Sequence, residues 1–187
     1  RLILLPGMDG TGKLFDPIIN LLPKTIDTEV IPLSSLKDGD AKSQAYEIAE
    51  RLGEGQYVIF AESYSGTIAY QLCQNSSLNI KHVIFAASFL SRPSYISKFG
   101  YLAPVSIIRF NLVPKFFLSW LFFGSLMRID LVKLFFNSLD LVTNSTLKNS
   151  LRSIASLKPP VAVIHVPCTY LQATKDKLVS RKAVAAF

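Results

Sequence analysis

Apolar residues in this chain gather into short continuous runs, separated by stretches where they recur every three or four positions. The continuous runs are 2–5, 57–61, 82–87 and 161–173, the last interrupted at Pro167. They are rich in Ile, Val, Leu and Phe and do not alternate with polar residues, which predicts strands of a parallel sheet covered on both faces. A weaker fifth strand is predicted over 29–33. Between the runs the period is helical. Ala41, Ala45, Ile48, Ala49 and Leu52 share one face, with Gly53 as a stop. Ile68, Ala69, Leu72 and Cys73 do the same after Ser65. Strand alternating with helix predicts an α/β fold, its parallel strands joined by right-handed crossovers.

The alternation ends after Ser88. Residues 92–158 carry no strand signal, yet hold eight of the thirteen Phe. Asp130 is a candidate cap for a helix through Phe136. Asn144 or Ser145 is a candidate cap for another, whose apolar face is Leu147, Leu151, Ile154 and Leu157. Pro104 and Pro114 interrupt the segment and Pro159-Pro160 closes it. The expected organisation is one α/β core, 1–91 and 159–187, with 92–158 inserted as a helical cap over the sheet. Trp120, Phe and Leu in that cap would favour apolar chains; the plainer reading is packing against the sheet.

Composition narrows the class. Of 187 residues, 50% are hydrophobic and 18% charged, so a disordered chain is excluded. Cys73 and Cys168 are too few for a disulfide framework or a zinc site and read as small buried hydrophobes of a reducing compartment. The net charge of +7 is uneven. Residues 1–93 hold eight Lys/Arg against ten Asp/Glu, whereas 94–187 hold twelve against three. The cations stand singly between apolar runs, unlike the clustered basic, aromatic-interleaved surface of a nucleic-acid groove. An apolar element with a cationic rim fits peripheral membrane contact through the cap. The apolar stretch 116–127 is shorter than the roughly 18–20 residues that span a bilayer. No signal peptide is visible, and a cytoplasmic location with peripheral membrane contact is expected. The chain opens inside a strand, which suggests that the natural sequence extends beyond it.

Three motifs carry chemistry. Ala61-Glu62-Ser63-Tyr64-Ser65-Gly66 is a relaxed form of G-x-S-x-G: a buried strand leads into Ser63 and a helix follows. Small flanking residues suit a sharp turn that lifts a serine Oγ above the sheet edge, where the helix N-terminus favours negative charge. The plainer alternative is a serine that only caps the helix. The second motif is Leu5-Pro6-Gly7-Met8-Asp9-Gly10-Thr11-Gly12. Acyl transfer needs two backbone N–H donors for an oxyanion, here Tyr64 after the serine and Met8 in the glycine loop. Gly7 to Lys13 also matches the start of a phosphate loop, but Leu14 replaces the magnesium-binding hydroxyl. The third motif is Ala173-Thr174-Lys175-Asp176, which places an acid just past a late strand, where a carboxylate would orient an imidazole.

The glycine loop, the elbow, the strand at 83–89 and the Ala-Thr-Lys-Asp turn occur in the order found in the α/β-hydrolase fold, which the chain resembles over most of its length. The resemblance implies a Ser–His–acid triad with Ser63 as nucleophile and Asp176 as acid. It implies esterase, thioesterase or lipase-like chemistry on a small-molecule acyl ester or thioester, without cofactor or metal. The family's histidine lies after its last strand. Only His82 and His165 are present, and strand geometry places both well below the serine. The expected base therefore lies outside this sequence, and the 187 residues alone are expected to be nearly inactive. The competing classes are a non-catalytic binding protein of the same fold and a phosphate-loop nucleotide binder.

Overall fold

The computed structural model describes residues 1–37, 39–93, 114–116, 119–120 and 124–184, apart from the side chains of Arg181 and Lys182. Its strands are Leu2–Leu5 (β1), Thr28–Val30 (β2), Gln56–Glu62 (β3), Asn79–Ala86 (β4) and Cys168–Leu171 (β5). They form one sheet in the order β2-β1-β3-β4-β5, and every neighbouring pair is parallel. The helices are Asp16–Ile19 (α1), Ala41–Leu52 (α2), Ser65–Cys73 (α3), Ile129–Asp140 (α4), Asn144–Ser156 (α5) and Arg181–Val184 (α6), with 3-10 turns at Lys13–Phe15 and Leu33–Ser35.

The core follows from the period of each element. α2 turns Ala45, Ile48, Ala49 and Leu52 inward, and they meet Ile68, Ala69 and Leu72 of α3 and Ile3, Ile59, Val83 and Phe85 of the sheet in one cluster. Asp40 starts α2 by accepting the Ser43 N–H, and Gly53, at a φ of 60°, ends it. Burial alternates along β3: Tyr57, Ile59 and Ala61 are sealed, while Val58 and Phe60 are half-buried on the other face. Phe60 there meets Phe15 edge-on.

Several expectations change. The run at 161–173 yields only the four residues of β5. Residues before it are irregular, and Val161 and Val163 are exposed. β5 is the edge strand of the described sheet and exposes most of its own side chains. Of the two cysteines expected to be buried, Cys168 is exposed and Cys73 is half-buried. Asp130 does not cap α4. The helix starts at Ile129, and the Asp130 carboxylate pairs with the Arg128 guanidinium at 3.2 Å. α5 is capped by Thr143, whose hydroxyl accepts the Thr146 N–H, rather than by Asn144 or Ser145.

Within 92–158 the described elements are helical. Phe135, Leu139 and Leu147 of α4 and α5 form a second apolar cluster against Met8 and Leu14. The helix pair therefore rests on the glycine loop at the carboxyl end of the sheet. Much of the Phe-rich stretch, including Phe110, Phe117 and Phe122, lies outside the described residues.

Candidate active site

The site grows from the sharp turn between β3 and α3. β3 ends at Glu62, and Ser63 adopts a φ of 53° before the chain enters α3 two residues later. A left-handed backbone costs a non-glycine residue about 1–2 kcal/mol, so surrounding contacts must hold it. Ser63 N–H donates to Ala86 O of the neighbouring strand at 3.0 Å, and Gly66 N–H closes the turn onto Ser63 O at 3.1 Å. Gly66 is required for space: a Cβ there would stand 2.7 Å from Ser88 Cβ. Ser88 is itself fixed, its buried hydroxyl donating to Ala61 O at 2.7 Å.

The glycine loop leaves β1 alongside this turn. A Cβ on Gly7 would lie 3.4 Å from Ser63 Cβ, so any side chain at this position would reach the Ser63 side chain. Gly10 N–H donates to Gly7 O at 3.0 Å. Asp9 is buried, and its carboxylate accepts both the hydroxyl of Thr11 at 2.6 Å and its N–H at 3.2 Å. Ser65, wholly buried in the first turn of α3, donates its hydroxyl to Pro6 O. Met8 N–H and Tyr64 N–H donate to no backbone or side-chain acceptor among the described residues.

Glu62 adds an electrostatic feature. Its Oε2 is buried without a hydrogen-bond partner. Burial pushes its carboxyl up to about 7, the Asp9 carboxylate pushes the same way, and only the Gly7 N–H opposes them. Near neutral pH this carboxyl is about half protonated.

Asp176 lies in the turn after β5. Its Oδ1 accepts the N–H groups of Leu178 and Val179 at 2.8 and 2.9 Å. Tyr170 is nearby: burial, and then the Asp176 charge, raise its phenol to about 12, and its hydroxyl donates to Ser88 O at 2.9 Å. In the same turn Lys177 Nζ lies 5.5 Å from the Trp120 ring centre. No hydrogen bond joins Asp176 to Ser63 among the described residues.

Neither histidine approaches the elbow. His82 pairs with Val58, and four registered steps separate it from Ala86, the partner of Glu62. At about 3.3 Å per residue that is roughly 13 Å down the sheet. Its Nε2 lies 2.9 Å from Thr169 Oγ1. His165 is exposed and precedes β5, whose first residue pairs with Val83 low in the sheet.

A cleft beside the glycine loop is lined by Met8, Tyr64, Gln44 and the polar side of α5, including Asn149 and Ser153. α5 thus turns hydroxyls and amides toward this cleft. No group of three or more His, Cys, Asp or Glu among the described residues is placed to hold a metal ion. The phosphate-loop motif is followed by a three-residue 3-10 turn at Lys13–Phe15 and the four-residue α1, and Lys13 is exposed.

Sequence reasoning brought Ser63, Tyr64 and Met8 to one place and missed Glu62, Ser65 and Asp9. The available signal was chemical. A Glu at the end of an apolar strand run, and polar residues inside a tight turn, require partners that the pattern alone does not name.

No protein-family model matches the chain, and no curated protein does. Solved structures match it over nearly its whole length. A hydrolase from Oleispira antarctica has a TM-score of 0.70 at 14% identity, covering 99% of this chain and 77% of its own. E-2-(Acetamidomethylene)succinate hydrolase has a TM-score of 0.69 at 16% identity, covering 99% and 76%. The RedJ thioesterase of the prodiginine pathway of Streptomyces coelicolor has a TM-score of 0.64 at 18% identity, covering 100% and 71%. At these identities the likeness defines the fold, and this chain has the α/β-hydrolase fold.

Proposed function

We propose that this chain is a serine hydrolase of acyl esters or thioesters, with Ser63 as nucleophile. The observation that carries the reading is the left-handed Ser63 between β3 and α3, with Gly7 packed against it. A strained residue held by its surroundings in a crowded turn is how a nucleophile is kept exposed to a substrate. Ser63 Oγ attacks the carbonyl carbon and gives its proton to an imidazole, and the N–H groups of Met8 and Tyr64 receive the oxyanion. The N-terminus of α3 adds a favourable potential there. Asp176, whose Oδ1 is occupied by two N–H groups, offers Oδ2 to the imidazole. The placement of His82 and His165 supports a base drawn from outside these 187 residues. Nothing in this scheme calls for a cofactor.

The substrate is a small acyl ester or thioester. The cap reading of 92–158, with its basic rim, is retained as a proposal for contact with an anionic lipid surface. The test is turnover of p-nitrophenyl esters and acyl thioesters by the full natural chain. Loss of turnover in Ser63→Ala, with folding intact, is expected. Turnover that survives Ser63→Ala rejects the assignment, and absence of turnover on every acyl substrate favours a non-catalytic binding protein of this fold.

A further inference from the structure

The cleft beside the glycine loop is built from groups that form hydrogen bonds and carry no charge. Among the described residues no Lys, Arg, His, Asp or Glu lines it. One wall is a row on α5. Thr146, Asn149, Ser150 and Ser153 lie at i, i+3, i+4 and i+7, which puts them on one side of the helix. Leu147 and Ile154, on the adjoining side, are buried, and Leu147 packs with Phe135 and Leu139 against Met8. That packing holds the polar row beside the loop. Lys148 and Arg152 fall outside the row and are exposed. Gln44 lines the cleft from α2, and Met8 and Tyr64 line it next to the elbow. The cleft therefore borders the two residues whose N–H groups would receive an oxyanion.

These groups have hydrogen-bonding capacity left over. The Thr146 hydroxyl pairs with that of Thr143 at 2.9 Å. Gln44 Oε1 accepts the Tyr64 hydroxyl at 3.4 Å, which leaves the Gln44 amide N–H groups free to donate. The Asn149 and Ser150 side chains hydrogen-bond to no protein group among the described residues. A substrate arm that covers them must supply partners, because a polar group buried without one costs more than a hydrogen bond gains. An alkyl chain supplies none. An ionised group would meet no opposite charge in the lining. A neutral arm with an amide or hydroxyl meets both requirements.

We propose that this cleft is a substrate subsite for a neutral arm bearing an amide or hydroxyl, with Asn149, Ser150 and Gln44 as specificity-determining residues. The inference rests on the acyl-hydrolase reading with Ser63 as nucleophile, and adds the chemistry of the group beyond the scissile bond. A polar face that only keeps α5 wetted would not discriminate between arms.

Two pairs of substrates matched in chain length test it on the full natural chain. On the acyl side, the p-nitrophenyl esters of N-acetyl-β-alanine and hexanoic acid differ by an amide within the chain. On the leaving-group side, the butanoyl thioesters of N-acetylcysteamine and pentanethiol differ in the same way. Each kcat/KM is divided by the alkaline hydrolysis rate of its substrate, which removes intrinsic reactivity. The amide member should then be favoured by about 10-fold in one pair, and that pair shows which side of the scissile bond enters the cleft. Asn149→Ala combined with Ser150→Ala should bring the ratio within about 3-fold of unity, and Gln44→Ala should lower it by about 3-fold. Alanine is a strong helix former, so the double variant keeps α5. The ratio compares two substrates on one protein, so a general loss of stability or of active enzyme cancels from it.

No amide preference in either pair overturns the subsite, and so does a preference that both the double variant and Gln44→Ala leave unchanged. Ser63→Ala runs beside them. Turnover that survives it, or absence of turnover on all four substrates, overturns the hydrolase reading and the subsite with it. Turnover that Ser63→Ala abolishes, without an amide preference, overturns only the subsite.

Discussion

Replacing Glu62 by Gln changes the pH dependence of stability in a way the structure fixes in sign and bounds in size. The carboxyl is raised from 4.5 to about 7, by burial first and by Asp9 second. The folded protein therefore prefers the protonated form more strongly than the unfolded chain does. The favourable contribution is fully present below pH 4.5, is lost as pH rises through about 7, and is absent above it. A shift of about 2.5 units is worth ~3 kcal/mol, at 1.36 kcal/mol per unit, and this is a ceiling because the site can relax around the charge. Gln is neutral at every pH and close to Glu in size and shape. The two proteins should therefore unfold alike near pH 4.5, while at pH 8 the Gln variant should be the more stable by up to ~3 kcal/mol. For a chain of this length each kcal/mol moves Tm by about 2–4 °C, giving a difference of up to roughly 6–12 °C. Urea or thermal unfolding at half-unit steps from pH 4.5 to 8 reads it directly. A difference that is constant across that range, or a Gln variant that loses ground toward pH 8, refutes the reasoning.

Gly66→Ala should destabilise by about 1–3 kcal/mol in urea unfolding, because its Cβ would meet Ser88 Cβ at 2.7 Å. Adding Ser88→Gly should recover part of the loss, and no recovery places the strain elsewhere. Asp40→Ala removes the α2 cap and should cost about 1 kcal/mol. The Ser43 N–H and hydroxyl hold the Asp40 carboxyl below its ordinary value, so this cost should be largest above the unfolded pKa of about 4 and shrink as pH falls below it. The 187-residue chain alone should hydrolyse p-nitrophenyl esters only at a residual rate, unchanged in His82→Ala and His165→Ala; triad-level turnover lost in either variant contradicts the placement of both. The full natural chain should co-sediment with anionic vesicles at low salt and release at high salt, and absence of low-salt binding rejects the lipid-surface proposal.

The sheet was legible because each inner strand is written in apolar residues and ended by a turn. β1 falls where its run does, and the elbow announces itself by small residues around Ser63. The helices α2 and α3 follow their apolar stripes. The run at 161–173 misled because apolar composition does not reveal how much of a run pairs as strand, and Pro159, Pro160 and Pro167 deny backbone donors around its first half. Val161, in the irregular stretch before β5, stays exposed, and only four residues pair. The α5 cap moved to Thr143 because four adjacent residues there can all serve, and backbone geometry chooses among them. Glu62 and Ser65 were hidden for another reason. Their surroundings depend on the glycine loop, which is far away in sequence and reaches them only when β1 and β3 pair.

The central claim is that Ser63 is a nucleophile held at the elbow. Its most direct test is to treat the full natural chain with a fluorophosphonate and locate the adduct by peptide mass spectrometry. The account predicts one adduct, on Ser63, absent from Ser63→Ala and from protein unfolded before treatment. An adduct on another serine, or labelling of Ser63→Ala at full strength, would contradict it.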